Sequence, residues 1–122
     1  MQDKILIVND TPIINKVLKH GLESGGFDVD TVITGQEGVD KVKADRYDII
    51  LLDYNLPDIN GDVVCGIIKT DSKNLMTPVY YISSLDKETM DQVIVRTGAQ
   101  GYIDIAIDVD ELCGKIKVIL EG

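Results

Sequence analysis

The sequence predicts an α/β fold: a doubly wound sheet of five parallel strands in the order 2-1-3-4-5, covered by five helices. Three observations carry this. The run Ile49-Ile50-Leu51-Leu52 shows no alternation of polar and apolar positions, so it reads as a strand buried on both faces, and it stops at the carboxylate of Asp53. Five short strand-like runs alternate with five amphipathic patterns across short loops, which is the signature of right-handed β-α-β crossovers. After the first run stands NDTPII in place of GxGxxG, which argues against the dinucleotide-binding strand order and leaves 2-1-3-4-5.

The elements follow in order. Lys4-Ile5-Leu6-Ile7-Val8 is the first strand, ending in Asn9 and Asp10. Thr11 and Pro12 supply an N-cap and a first helical residue, after which Ile13, Ile14, Val17, Leu18 and Leu22 fall on one helical face, and Gly25-Gly26 ends the helix. Residues 27–33, FDVDTVI, alternate as a strand nearer the sheet edge. Thr34 with Glu37 makes a capping box for a helix that carries Val39 and Val42 and runs to about residue 46. The central strand comes next, and Leu56-Pro57-Asp58-Ile59-Asn60-Gly61 turns the chain away from its end.

Asn60 then caps a helix with Val63, Val64, Ile67 and Ile68 inward, weakened at Gly66 by roughly 1 kcal/mol relative to alanine. Pro78 opens the fourth strand, Val79-Tyr80-Tyr81-Ile82, which ends in the hydroxyls of Ser83 and Ser84. The fourth helix, from about residue 86 to 97, turns Met90, Val93 and Ile94 inward and stops at Gly98. Gly101-Tyr102-Ile103-Asp104 is the last strand. Asp108 and Glu111 form a second capping box, opening a helix whose buried stripe is Leu112, Ile116, Ile119 and Leu120.

Composition narrows the function. A chain of 122 residues, 44% of them apolar, is read as one domain, residues 1–122, with no second domain. Its apolar runs are far too short to span a membrane and no signal-peptide pattern is present, so the expected location is cytoplasmic. A net charge of −9, spread along the chain, disfavours direct contact with nucleic acid or an anionic membrane and favours a cation or a basic protein surface. Cys65 and Cys113 form no CxxC pair and are read as reduced core thiols.

In the 2-1-3-4-5 order the ends of the first, third and fourth strands meet at the switch point, bringing together Asn9, Asp10, Asp53 and Ser83. Two carboxylates with an amide and a backbone carbonyl make an all-oxygen site, which suits Mg2+ rather than zinc. An aspartate beside Mg2+ can attack phosphorus, because the cation neutralises and orients the phosphoryl oxygens. Ser83 is then placed to donate a hydrogen bond to one of them.

Asp10, the turn DYNLPDINGD that begins at Asp53, Ser83, and Gly98-Ala99 followed by Tyr102 resemble the receiver domain of bacterial two-component response regulators, over the full length of the chain. The resemblance implies a flavodoxin-like fold with Asp53 as phosphoacceptor, and Asp10 together with the Asn55 backbone carbonyl as the other Mg2+ ligands. Asn9 would stand just outside the ligands, Ser83 would be the switch hydroxyl, and Tyr102 the switch aromatic. It further implies a phosphohistidine donor on a sensor histidine kinase or phosphotransfer protein. Output would pass to a partner protein or effector domain through the surface of the fourth helix, fifth strand and fifth helix. The chain is then not an enzyme, and homodimerisation stays open. On the residues alone, Ser83 also fits a strand-end turn, Tyr102 a packed core position, and Asn55 a simple turn residue.

Two departures stand against the family pattern. Asn9 occupies the place of the first of two adjacent acids, and the family's lysine and following proline fall on Ile105 and Ala106. Three acids with one lysine carry the same formal charge as two acids with none, so the field offered to the cation is expected to persist. Lys87 is a candidate replacement cation. Losing one charge-assisted hydrogen bond, worth roughly 1.5–3 kcal/mol, would slow phosphorylation or uncouple it from switching. A pseudo-receiver, an interaction module that works without phosphorylation, is therefore the alternative function. A flavin-binding protein or an aspartate-nucleophile phosphatase fits less well, since no hydroxyl-rich phosphate loop follows the first strand.

Overall fold

The computed structural model describes residues 2–122. Five strands, β1 (Lys4–Val8), β2 (Asp28–Val32), β3 (Ile49–Asp53), β4 (Val79–Ser83) and β5 (Gly101–Asp104), alternate with five helices. These are α1 (Pro12–Ser24), α2 (Gly35–Ala44), α3 (Gly61–Thr70), α4 (Lys87–Thr97) and α5 (Val109–Glu121). All pairings are parallel and the sheet order is β2-β1-β3-β4-β5, as expected from the sequence.

Alternation along the strands divides the core into two layers. Leu6, Val8, Ile50, Leu52, Val79 and Tyr81 pack with Val39, Val42, Val64, Cys65, Ile68, Met90 and Val93, so α2, α3 and α4 cover one face. Ile5, Ile7, Ile49, Leu51, Ile82 and Ile103 meet Leu18, Leu22, Leu112 and Ile116, which places α1 and α5 on the other. β1 and β3 are thus buried from both sides, the reason their sequences show no polar alternation. None of the described helices is long and apolar enough to cross a membrane.

Several boundaries and faces differ from expectation. In α1, Ile13 and Val17 are 70% and 56% exposed, while Asn15 takes the buried position beside Leu18 and Leu22. In α3, Val63 is 52% exposed and Cys65 is buried in its stead. Cys113 is only half-buried, and both cysteines are free thiols. The Thr34 hydroxyl accepts from Glu37 N as the capping box requires, but α2 ends at Ala44. At α5 the Asp108 cap reaches Asp110 N rather than Glu111 N. Thr11 and Asn60 occupy their N-cap positions without a side-chain hydrogen bond to the helix.

The loop before β4 is held by a residue with no apolar signal. Asn74, fully buried, donates to the carbonyls of Val42 and Asp45, each at 2.8 Å, and accepts from Tyr47 N at 2.8 Å. It joins the end of α2 to the entry of β3.

Candidate functional site

Strand register brings the polar ends together. Val8 pairs with Leu52, so Asn9 lies beside Asp53 with Asp10 one residue beyond; Asp53 pairs with Ile82, so Ser83 follows on the other flank. Asn9, Asp53, Ile82, Ser83 and Ser84 line a small cleft of about 120 Å3, closed on its far side by Thr11, Ile14 and Ile105. Asp10 is exposed next to it.

Asp53 is half-buried, and its Oδ1 accepts from Asn55 N at 3.2 Å. Burial pushes its carboxyl up to about 6. The amides of Asn55 and Tyr54 work in the opposite direction, while the neighbouring Asp10 raises it further as a like charge. The two carboxylates predicted to share an ion are therefore close enough to feel each other. Among the described residues no group of three or more His, Cys, Asp or Glu side chains is placed to hold a metal.

The donor set nevertheless fits a hard divalent cation. Two neighbouring carboxylates beside a turn of backbone carbonyls are an oxygen-only environment, and a cation would offset the burial and the like charge that together raise Asp53. Asn9, 2% exposed, adds an amide whose Nδ2 is buried without a hydrogen-bond partner, a donor that an anionic oxygen in the cleft would satisfy. The backbone of Asn9 is fixed from below: Asn15 Nδ2 donates to its carbonyl at 2.8 Å.

Ser83 is 6% exposed, and its hydroxyl oxygen accepts from Leu85 N at 3.0 Å, which leaves the hydroxyl proton to be donated elsewhere. Tyr102 is half-buried on β5, in register with Tyr81. Lys87 does not line the cleft; it pairs with Asp91 at 2.7 Å on the surface of α4. Ile105 lines the cleft with an apolar side chain.

The turn after Asp53 folds back tightly. Gly61 N donates to the Tyr54 carbonyl at 2.9 Å, and a Cβ on Gly61 would stand 2.9 Å from the Asp53 carbonyl oxygen, so only glycine permits this return. Sequence reasoning missed two side chains that brace the turn. Asp58 accepts from Gly35 N at 2.8 Å and Gln36 N at 2.9 Å at the start of α2. Arg96 Nη2, on α4, donates to Tyr54 Oη at 2.9 Å and to Asp62 Oδ2 at 3.0 Å. A carboxylate in a turn and an arginine on an exposed helix face carry no signal of such distant partners.

Comparison with known proteins bears on the family and the fold. The model of the response regulator receiver domain matches residues 5–117. Response regulator ArlR of Staphylococcus saprophyticus is 36% identical over 118 residues, covering 96% of this chain and 52% of that protein. ArlR of Staphylococcus aureus is also 36% identical, with the same coverage, so the chain spans about half the length of these curated relatives. Among solved structures, the receiver domain of the sensor histidine kinase PA1611 from Pseudomonas aeruginosa PAO1, which holds a magnesium ion in its active site cleft, superposes with a TM-score of 0.90 at 23% identity over 100% of both chains. The chemotaxis response regulator CheY4 of Vibrio cholerae gives 0.91 at 24% identity, over 98% of this chain and 99% of that one. At these identities the structures share the fold, and the family assignment rests on the family model and the ArlR sequences. The chain belongs to the response regulator receiver domain family.

Proposed function

We propose that residues 1–122 act as one phosphoacceptor receiver domain of two-component signal transduction, phosphorylated on Asp53. The observation that carries this is the pairing of Asp53 with Asp10 at the mouth of a cleft that also holds the Ser83 hydroxyl. Mg2+ is the cofactor, held by the carboxylates of Asp10 and Asp53 and the backbone carbonyl of Asn55, with Asn9 just outside; bound there, it neutralises the phosphoryl oxygens. Asp53 attacks the phosphorus of a phosphohistidine on a sensor histidine kinase or phosphotransfer protein. The P–N bond breaks, its electron pair stays on the imidazole nitrogen, and an acyl phosphate forms on Asp53.

Ser83 then donates to a phosphoryl oxygen, and Tyr102 turns inward, which changes the surface of α4, β5 and α5 that an output protein or effector domain reads. The same surface is the candidate site for homodimerisation. The domain works in the cytoplasm and is a substrate and switch rather than an enzyme.

Incubation with acetyl phosphate and Mg2+ tests this by mass spectrometry. The expected result is a mass gain of one phosphoryl group that is absent in Asp53→Asn. No gain in the wild-type chain would overturn the reading in favour of a phosphorylation-independent interaction module.

A further inference from the structure

We propose that Asp58 is a positioning residue for this reaction: by gripping the first two amides of α2, it holds the loop that follows Asp53 and carries Asn55 in the shape that binds the divalent cation. The inference rests on the phosphoacceptor reading above and adds a residue to it.

The loop between β3 and α3 is tied at its base, where Gly61 N meets the Tyr54 carbonyl and Asn55 N meets Asp53 Oδ1. Those bonds fix its two ends but not its tip. Asp58 fixes the tip, with one oxygen on Gly35 N at 2.8 Å and the other on Gln36 N at 2.9 Å. A two-pronged bond sets orientation as well as distance. Both amides hold the carboxyl below the usual carboxylate range, so the grip stays charged wherever the site works. Packing agrees: Gly35 has no Cβ, and Ile59 occupies the space one would fill.

Local capping of α2 does not require this. Thr34 already serves the helix, accepting from Glu37 N at 3.1 Å. The remaining free amides at the helix start, Gly35 and Gln36, are taken by a side chain 22 and 23 residues away, in the loop that supplies two of the proposed Mg2+ ligands. Asp58 reaches those ligands only through the backbone, so it touches neither cation nor phosphoryl group.

The two caps give a matched pair of variants. We would compare wild type, Asp58→Ala, Asp58→Asn and Thr34→Ala by thermal melting without Mg2+, by NMR titration of the amides of residues 10 and 53–55 with MgCl2, and by acetyl phosphate labelling at saturating Mg2+. Asp58→Ala and Thr34→Ala should both lower the melting temperature, but only Asp58→Ala should weaken Mg2+ binding, by about ten-fold or more. Asp58→Asn keeps an oxygen for one of the two amides and should recover part of the loss. Raising Mg2+ should restore labelling of Asp58→Ala.

An unchanged Mg2+ dissociation constant in Asp58→Ala would reduce Asp58 to a helix cap and overturn the proposal, and so would an equal loss in Thr34→Ala. Should Asp58→Ala not fold, Asp58→Asn against Thr34→Ala decides the same question. Wild-type chain that binds Mg2+ but is never labelled would defeat the phosphoacceptor reading alone; wild-type chain that does not bind Mg2+ would defeat both.

Discussion

The backbone amide of Ile105 donates to the carbonyl of Ser83 at 3.1 Å, which fixes an apolar side chain beside the hydroxyl at the end of β4. Both residues line the cleft that contains Asp53. The family resemblance implies a cation at this place, and the structure supplies a hydrocarbon wall instead. On the proposed function, neutralisation of an incoming phosphoryl group would fall to Mg2+ and to the Ser83 and Asn9 donors that line the cleft.

Restoring the cation should accelerate the chemistry. In Ile105→Lys, a charge-assisted hydrogen bond to the phosphoryl group, worth roughly 1.5–3 kcal/mol, should raise the rate of acetyl phosphate labelling about 10- to 100-fold at saturating Mg2+. The added positive charge should also weaken Mg2+ binding, and Asn9→Asp should reverse that. The double variant should therefore exceed the sum of its singles, as measured by labelling rates across a Mg2+ titration. Additive effects would show that the two positions do not share one field.

The carboxyl of Asp53 gives the site a defined pH response. Its folded value of about 6 lies above the ordinary 3.8, so the folded chain takes up a proton here more readily than the unfolded chain between those values. Ionised Asp53 therefore costs stability above about pH 6, and the cost disappears as pH falls towards 4. Asp53→Asn should melt higher than wild type at pH 7.5 without Mg2+, and the difference should shrink on acidification. Mg2+ affinity of the wild type should fall below pH 6, where proton and cation compete for the same oxygens. Melting curves from pH 4 to pH 8, with and without Mg2+, test both statements.

Asn74 should matter to stability and not to chemistry. Its amide serves the backbone of Val42, Asp45 and Tyr47 inside the protein, where water cannot take its place. Asn74→Ala should cost about 3 kcal/mol in urea unfolding, because several buried backbone groups lose partners at once. At a temperature where the variant remains folded, Asp53 labelling should proceed at the wild-type rate.

The central strands were legible because strands buried on both faces announce themselves as unbroken apolar runs, each ending where solvent begins; their order, and with it the cluster of Asn9, Asp10, Asp53 and Ser83, rested on the missing GxGxxG and on the family resemblance. Helix faces were less so. Counting apolar spacing put Ile13 and Val17 inside, whereas the buried position belongs to Asn15, whose amide serves the carbonyls of Asn9 and Val32 at the strand ends. Periodicity weighs hydrophobicity and cannot see a buried amide that is needed for its hydrogen bonds. Asp58 and Arg96 were hidden for a different cause: their partners lie 22 to 42 residues away, and nothing in their local spacing points across the fold.

Arg96 offers the last test, because one nitrogen of its guanidinium ties the final turn of α4 to Tyr54, the residue beside Asp53. Arg96 Nη2 donates both to Tyr54 Oη and to Asp62 Oδ2, and the Tyr54 ring stands edge-on to Tyr81 with centroids 5.7 Å apart. Ion pairs in contact with solvent add little to global stability, so Arg96→Met should melt close to wild type. Local opening is another matter: α4 presents only Met90 and Val93 to the core as buried residues, against four in α3, so its anchorage depends more than that of α3 on such cross-links. Hydrogen exchange over residues 87–97 should rise in Arg96→Met, and by a smaller amount in Tyr54→Phe, where the bond to Asp62 survives. Unchanged exchange in both variants would mean that packing alone holds α4, and that a shift at Tyr54 on phosphorylation has no lever on the surface that α4, β5 and α5 present.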